Sequence, residues 1–107
     1  MISNFKLSNG AIIPSIGLGT SLRGKNLESK QVFIDSVKHA FSIGYRHIDT
    51  AKCYNNEHLI ASAIKESGLK RDELFIVTKL YPDDMGYEKT LKAFQKSCEK
   101  LQVDYVG

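Results

Sequence analysis

The sequence predicts an α/β fold in which an N-terminal β-hairpin precedes βα units built on parallel strands. Three observations carry this reading. Short β-branched or apolar runs alternate with amphipathic stretches of helical length. Glycine follows two of these stretches, at Gly44 and Gly68, where helices stop. One run, Leu74-Phe75-Ile76-Val77, is apolar at successive positions, as a strand covered on both faces must be. Strands alternating with helices imply parallel pairing through right-handed crossovers. A barrel segment and a small open sheet both satisfy that pattern, and periodicity does not separate them.

The elements follow in order. Phe5-Lys6-Leu7 and Ala11-Ile12-Ile13 flank Ser8-Asn9-Gly10, where the Asn-Gly pair is expected to take the left-handed conformations of a tight turn. Pro14 ends this hairpin cap, residues 1–14, and the βα units occupy residues 15–107. Ile16 to Thr20 reads as a short strand whose glycines permit close approach by another group. A polar loop runs from Ser21 to Ser29. From Lys30 to Ser42, Phe33, Val37, Ala40 and Phe41 recur at helical spacing. Tyr45 to Thr50 has strand composition, and a second helix begins near Asn56 with Leu59, Ile60, Ala63 and Ile64 on one face. Leu74 to Leu80 is the buried strand, broken by Tyr81-Pro82-Asp83-Asp84. A third helix, Gly86 to Leu101, aligns Tyr87, Leu91, Phe94, Cys98 and Leu101 on one stripe and Lys89, Lys92, Lys96 and Lys100 toward water. Val103 to Gly107 begins a fourth strand.

Composition bounds the function. The 107 residues allow one real core but fall far short of a complete eight-stranded βα barrel, about 250 residues. The net charge of +3 is scattered, with no block of like charges, which argues against nucleic acid as a partner. Apolar runs are short and the first residues lack the pattern of a signal peptide, so the chain is expected to be cytoplasmic, neither spanning a membrane nor exported. The cysteines, Cys53 and Cys98, match no metal or redox spacing and read as thiols, Cys98 as a buried small hydrophobe. No metal site is expected.

In parallel α/β architectures, functional groups gather at the C-terminal ends of the strands, where the loops converge. That rule selects Gly19 and Thr20 after the first strand, Asp49 and Tyr54 after the second, and Lys79 after the third. A tyrosine exchanges protons poorly near neutral pH. An adjacent ammonium stabilises its phenolate form, and a carboxylate can hold that ammonium in place. Taken singly, the three also have plain structural readings: Asp49 as a strand-end cap, Tyr54 as packing, Lys79 as a surface charge. His47 shares a strand face with Asp49 and reads as a packed, hydrogen-bonded strand histidine.

Gly44-Tyr45-Arg46-His47-Ile48-Asp49-Thr50-Ala51, continuing to Tyr54-Asn55-Asn56-Glu57, resembles the motif G-x-R-H-I-D-T-A-x-x-Y-x-N-E of the aldo-keto reductase family. Phe5 to Thr20, Leu69 to Leu80 and Gly86 to Val106 resemble that family's opening hairpin and first strand, its next strand, and its third helix with the start of a fourth strand. The resemblance implies that residues 1–107 form the N-terminal portion of a (β/α)8 TIM barrel. It implies an oxidoreductase that reduces an aldehyde or ketone to an alcohol with NADPH, Tyr54 giving the proton, Lys79 assisting it and Asp49 orienting Lys79. Gly19, Thr20 and Asp49 would line the nicotinamide end of the cofactor.

The family's catalytic histidine lies at the end of the fourth strand, and most of its cofactor grip comes from the second half of the barrel. None of His39, His47 and His58 sits at a matching position. The chain is therefore expected to be truncated relative to a whole reductase and inactive alone. The alternative expectation is a non-catalytic half-barrel that self-associates through its open sheet edges. Departures from the family pattern are Ser21 in place of an aromatic residue, and Ala61 and Gln102 in place of glycines.

Overall fold

The computed structural model describes residues 3–22 and 29–107, so most of the loop expected from Ser21 to Ser29 lies outside the described residues. Strands β1 (Asn4–Lys6) and β2 (Ile12–Pro14) pair antiparallel, with Phe5 opposite Ile13. Gly10 alone takes the left-handed conformation, at φ 89°, and its N–H reaches the Leu7 carbonyl at 2.9 Å. Asn9 contributes differently from expectation: its Oδ1 accepts the Ala11 N–H at 3.0 Å. The connection is a three-residue loop, in which only the last position needs a positive φ.

Strands β3 (Leu18–Gly19), β4 (His47–Asp49) and β5 (Phe75–Val77) form a parallel sheet in the order β3-β4-β5. Gly19 lies opposite Asp49, and Asp49 opposite Val77. The strands are shorter than their composition suggested, but hydrogen bonds of the same kind prolong them, from Phe75 to Arg46, Thr50 to Val77 and Thr20 to Asp49. Helices α1 (Lys30–Ser42), α2 (Glu57–Ser67) and α3 (Tyr87–Leu101) alternate with the strands, α1 packing on α2 and α2 on α3. Consecutive strands that stay neighbours, joined by crossovers of one hand, put every helix on the same face. This separates a barrel segment from a doubly wound sheet, whose strand order reverses.

Side chains alternate accordingly. Ile48 and Ile76, both fully buried, point to the helices and meet Val37, Phe41, Leu59 and Ile60 in the core. His47, Asp49, Phe75 and Val77 take the helix-free face. There the His47 ring packs edge-on against Phe75, 5.3 Å between centroids, and its Nδ1 lies 3.2 Å from the Pro14 carbonyl, tying the hairpin to the sheet. Gly17 makes room for that ring, since a Cβ there would sit 3.0 Å from it.

Helix ends follow their local chemistry. Ser29 caps α1 by accepting the Val32 N–H, and Gly44, at φ 109°, closes it with bonds from Gly44 to Phe41 and from Tyr45 to Ala40. Helix α3 ends the same way on Gln102, a non-glycine residue at φ 58°.

Two expectations change. The stripe on α3 is covered only at its C-terminal half: Cys98 and Leu101 are buried, but Tyr87, Leu91 and Phe94 are 85%, 55% and 42% exposed. Ala93, Ser97 and Leu101, spaced four apart, form the line that meets the core side, so the helix is turned away from the stripe the larger side chains define. The fourth strand is not formed. Residues 103–107 contribute one sheet-like bond, from the Gly107 N–H to the Ile76 carbonyl at 2.6 Å, and a ladder needs several such bonds in succession. Among the described residues, no helix is long and apolar enough to cross a membrane.

Candidate active site

Asp49 ends β4 on the helix-free face, and Lys79 lies two residues beyond Val77, its partner strand's last residue. Alternation therefore turns Lys79 toward Asp49. The Lys79 ammonium donates to Asp49 Oδ1 in a short ion pair, to the Thr50 carbonyl at 3.1 Å and to the Tyr54 hydroxyl oxygen at 3.2 Å. Three acceptors match the three protons of an ammonium, which fixes its position. Partial burial pulls the Lys79 pKa down, but the hydrogen bonds and charges of Asp49 and Tyr54 outweigh this, so the net direction is upward. The side chains of Lys79 and Asp49 remain 46% and 43% exposed, open to a small molecule.

Tyr54 lies outside any strand. It closes a 3₁₀ turn, Lys52–Tyr54, after which Asn55 adopts a left-handed backbone at φ 55° and returns its N–H to the Lys52 carbonyl at 3.2 Å. Asn tolerates this conformation better than most residues. Asn56, 2% exposed, then anchors the turn: its Nδ2 donates to the Thr20 carbonyl and its Oδ1 accepts from the Thr50 hydroxyl, both at 2.8 Å. Tyr54 is thereby tied to the ends of β3 and β4 through one buried amide.

Gly19 is exposed beside Asp49, and a Cβ at this position would meet nothing within 4 Å. Thr20 follows Gly19 and borders a cavity with Leu18, Phe33 and Val37, its side chain engaged in holding the strands. It is 5% exposed, and its N–H and hydroxyl both donate to the Asp49 carbonyl, at 3.1 and 3.0 Å. Its hydroxyl is therefore occupied in holding β3 to β4. Cys53 is exposed and Cys98 buried; burial and the nearby Glu57 carboxylate push the Cys98 thiol upward. Among the described residues, no group of three or more His, Cys, Asp and Glu is placed to hold a metal ion.

The structure brings Asp49, Tyr54 and Lys79 together and sets Gly19 beside them. Sequence reasoning gave no role to Asn56, Glu57, Thr50, Thr78 and Ser97, the polar residues beneath the site. A signal existed for two of them. Glu57 shares a helical face with Ile60 and Ala61, and Ser97 stands between Ala93 and Leu101, so each is a polar residue on an apolar line.

A phenol, an ammonium and a carboxylate at the C-terminal ends of parallel strands in a βα-barrel segment make an arrangement chemically suited to acid/base work. Comparison with known proteins sharpens this. The aldo/keto reductase family model matches residues 15–107, and the chain belongs to that family. It is 48% identical over 101 residues to glyoxal reductase of Bacillus subtilis, covering 94% of this chain and 35% of that protein. Identity to morphine 6-dehydrogenase of Pseudomonas putida is 42% over 100 residues, 94% of this chain and 32% of that protein. Among solved structures, a Bombyx mori aldo-keto reductase in complex with NADP superposes with a TM-score of 0.86 at 34% identity, over 98% of this chain and 36% of that one. The aldo/keto reductase of Brucella melitensis gives 0.86 at 42%, over 99% and 40%. The chain thus spans about a third of the length of the curated relatives it matches, and its fold is a partial barrel.

Proposed function

We propose that this chain carries the proton-donating half of a carbonyl reductase site, in which the Tyr54 hydroxyl protonates the carbonyl oxygen of a small aldehyde or ketone. The observation that carries the reading is the Lys79 ammonium held between Asp49 and the Tyr54 oxygen. As the proton leaves Tyr54, negative charge develops on that oxygen, and the ammonium 3.2 Å away stabilises it. Asp49 keeps the ammonium in place.

A nicotinamide fits the floor of this site. The open face of Gly19 leaves space for a flat ring beside Asp49, whose carboxylate oxygens can accept from an amide. The bound cofactor, NADPH in this reading, supplies the hydride that reduces the carbonyl carbon. Thr20 would support this floor through its bonds to Asp49 rather than by touching the cofactor. Glyoxal, named for the Bacillus subtilis relative, is a suitable first substrate.

The test is a chimera in which residues 15–107 replace the matching segment of that relative. It should oxidise NADPH in the presence of glyoxal, and Tyr54→Phe should lower kcat by about 10²–10⁴-fold, the usual contribution of a positioned acid. A folded chimera whose Tyr54→Phe variant turns over at the parent rate refutes the assignment.

A second reading concerns the chain alone. Exposed Tyr87, Leu91 and Phe94 along α3 favour self-association as a non-catalytic half-barrel, because large apolar patches seek cover. A concentration-dependent mass in sedimentation, abolished by Leu91→Lys, supports it; a monomer at all concentrations removes it.

A further inference from the structure

Beneath Lys79 lies a buried polar cluster that the proton transfer does not use. Glu57, the first residue of α2, is 2% exposed, and no lysine, arginine or histidine pairs with it among the described residues. One carboxylate oxygen, Oε2, accepts the Thr78 hydroxyl at 2.6 Å, and the other, Oε1, accepts the Ser97 hydroxyl from α3 at 3.2 Å. Burying a carboxylate without a cation is costly, so the hydroxyls that bind it are held firmly. Thr78 stands immediately before Lys79.

The position matters because β5 ends at Val77. Past that residue the strand has lost its ladder, and among the described residues the Lys79 backbone is tied to its surroundings by one long bond, from the Lys52 N–H to the Lys79 carbonyl at 3.4 Å. The bond from Thr78 to Glu57 is shorter and acts one residue earlier. We infer that Glu57 is a positioning residue for the proposed reductase site: through Thr78 it fixes the strand end from which Lys79 reaches Asp49 and Tyr54. The carboxylate lies on the core side of the sheet and the ammonium on the open side, consistent with the alternation of Thr78 and Lys79. Glu57 therefore acts on the chemistry without touching substrate. This inference rests on the reading of Lys79 as the partner of Tyr54, but its test reads the placement of Lys79 directly and does not depend on turnover.

The measurement is the titration of the Lys79 ammonium, followed by NMR of lysine side chains in the full chain and assigned with Lys79→Arg. Asp49→Asn calibrates it, since removing the carboxylate must bring the raised midpoint down toward the ordinary 10.5. Glu57→Gln alone is ambiguous, because it deletes a charge as well as a hydrogen-bond partner. Two variants keep the charge. Thr78→Val removes the hydroxyl, and Glu57→Asp shortens the side chain so that it cannot span Thr78 and Ser97. Either one, folded by circular dichroism, is expected to shift the Lys79 midpoint in the same direction as Asp49→Asn, with Thr78→Ser restoring it. Ser97→Ala, which removes the carboxylate's other donor, should leave the midpoint at its original value. An unmoved midpoint in a folded Thr78→Val or Glu57→Asp variant overturns the inference, and so does a Ser97→Ala shift as large as that of Thr78→Val. Failure of Tyr54→Phe to slow the chimera would instead strike the reductase reading and leave this result standing.

Discussion

Asn56 offers the sharpest test of how the site is held. Replacing it with alanine removes two hydrogen bonds of 2.8 Å and leaves the Thr50 hydroxyl and the Thr20 carbonyl facing each other across the space of the lost amide. Both residues are enclosed, Thr50 at 0% and Thr20 at 5% exposure, so water replaces the amide poorly. An unsatisfied buried polar group costs about 1–3 kcal/mol, and two of them, partly relieved by relaxation, give an expected loss of about 3 kcal/mol. For a domain of this size that corresponds to a fall in Tm of roughly 10–20 °C. Urea denaturation followed by circular dichroism should show the midpoint falling at constant slope. Asn56→Asp makes the mechanism explicit. It keeps the acceptor for Thr50 but aims a carboxylate at the Thr20 carbonyl, so it should be as damaging as alanine at neutral pH. Protonation of that buried carboxyl restores a donor, and the sign follows: its pKa is raised by folding, so the variant should recover stability as pH falls. An Asn56→Ala chain within about 0.5 kcal/mol of the parent, the range of ordinary surface substitutions, would show that the amide ties nothing together.

Three further outcomes are expected. Gln102→Gly should stabilise the chain by about 0.5–1 kcal/mol, because glycine relieves the left-handed backbone at φ 58° while adding some freedom to the unfolded chain; an unchanged denaturation midpoint contradicts this. Gly17→Ala places a methyl 3.0 Å from the His47 ring and should cost about 1–3 kcal/mol, and the same substitution in a His47→Ala background should be nearly neutral, a coupling that a double-mutant cycle measures. Lys79, whose pKa is raised on folding, contributes stability that is complete below its unfolded value of 10.5 and is lost as pH rises through the folded one. Stability curves of the parent and Asp49→Asn should therefore converge at strongly alkaline pH, with a modest gap below it because the pair is almost half exposed; a gap that widens with pH reverses the argument.

Much of the fold was legible because periodicity and stop signals agree. The approximate bounds read for α1 hold: its apolar spacing ends where Gly44 permits a turn-terminating conformation. The rotation of α3 was hidden, because a hydrophobic stripe reports which side chains dislike water but not which of them find a neighbour. Small Ala93 and Ser97 occupy the line that meets the core, and the larger Tyr87, Leu91 and Phe94 stay outside. At the site, strand alternation was enough to bring Asp49 and Lys79 to one face once their register was known. The bonds of Thr20 were not legible, since sequence gives its place at a strand end but not the Asp49 carbonyl that its hydroxyl meets.

The placement of Tyr54 shows why the polar residues after it matter as much as the proposed acid itself. Asp49 inherits its position from paired strands, and a parallel ladder supplies that precision, while Lys79, two residues past the ladder, follows a strand end that Thr78 fastens to Glu57. Tyr54 has no such support: its oxygen reaches the ammonium only because the chain turns at Asn55 and is fastened at Asn56, while Glu57 meets the strand end that carries Lys79. Successive residues thus perform different tasks: the proposed proton donor, backbone reversal, buried bridge and helix start. Transferring Asp49, Tyr54 and Lys79 alone to another βα scaffold would move the proposed reacting groups and leave behind what sets their separation. Loss of even about 1 Å of that alignment is enough to cost a catalytic site much of its rate.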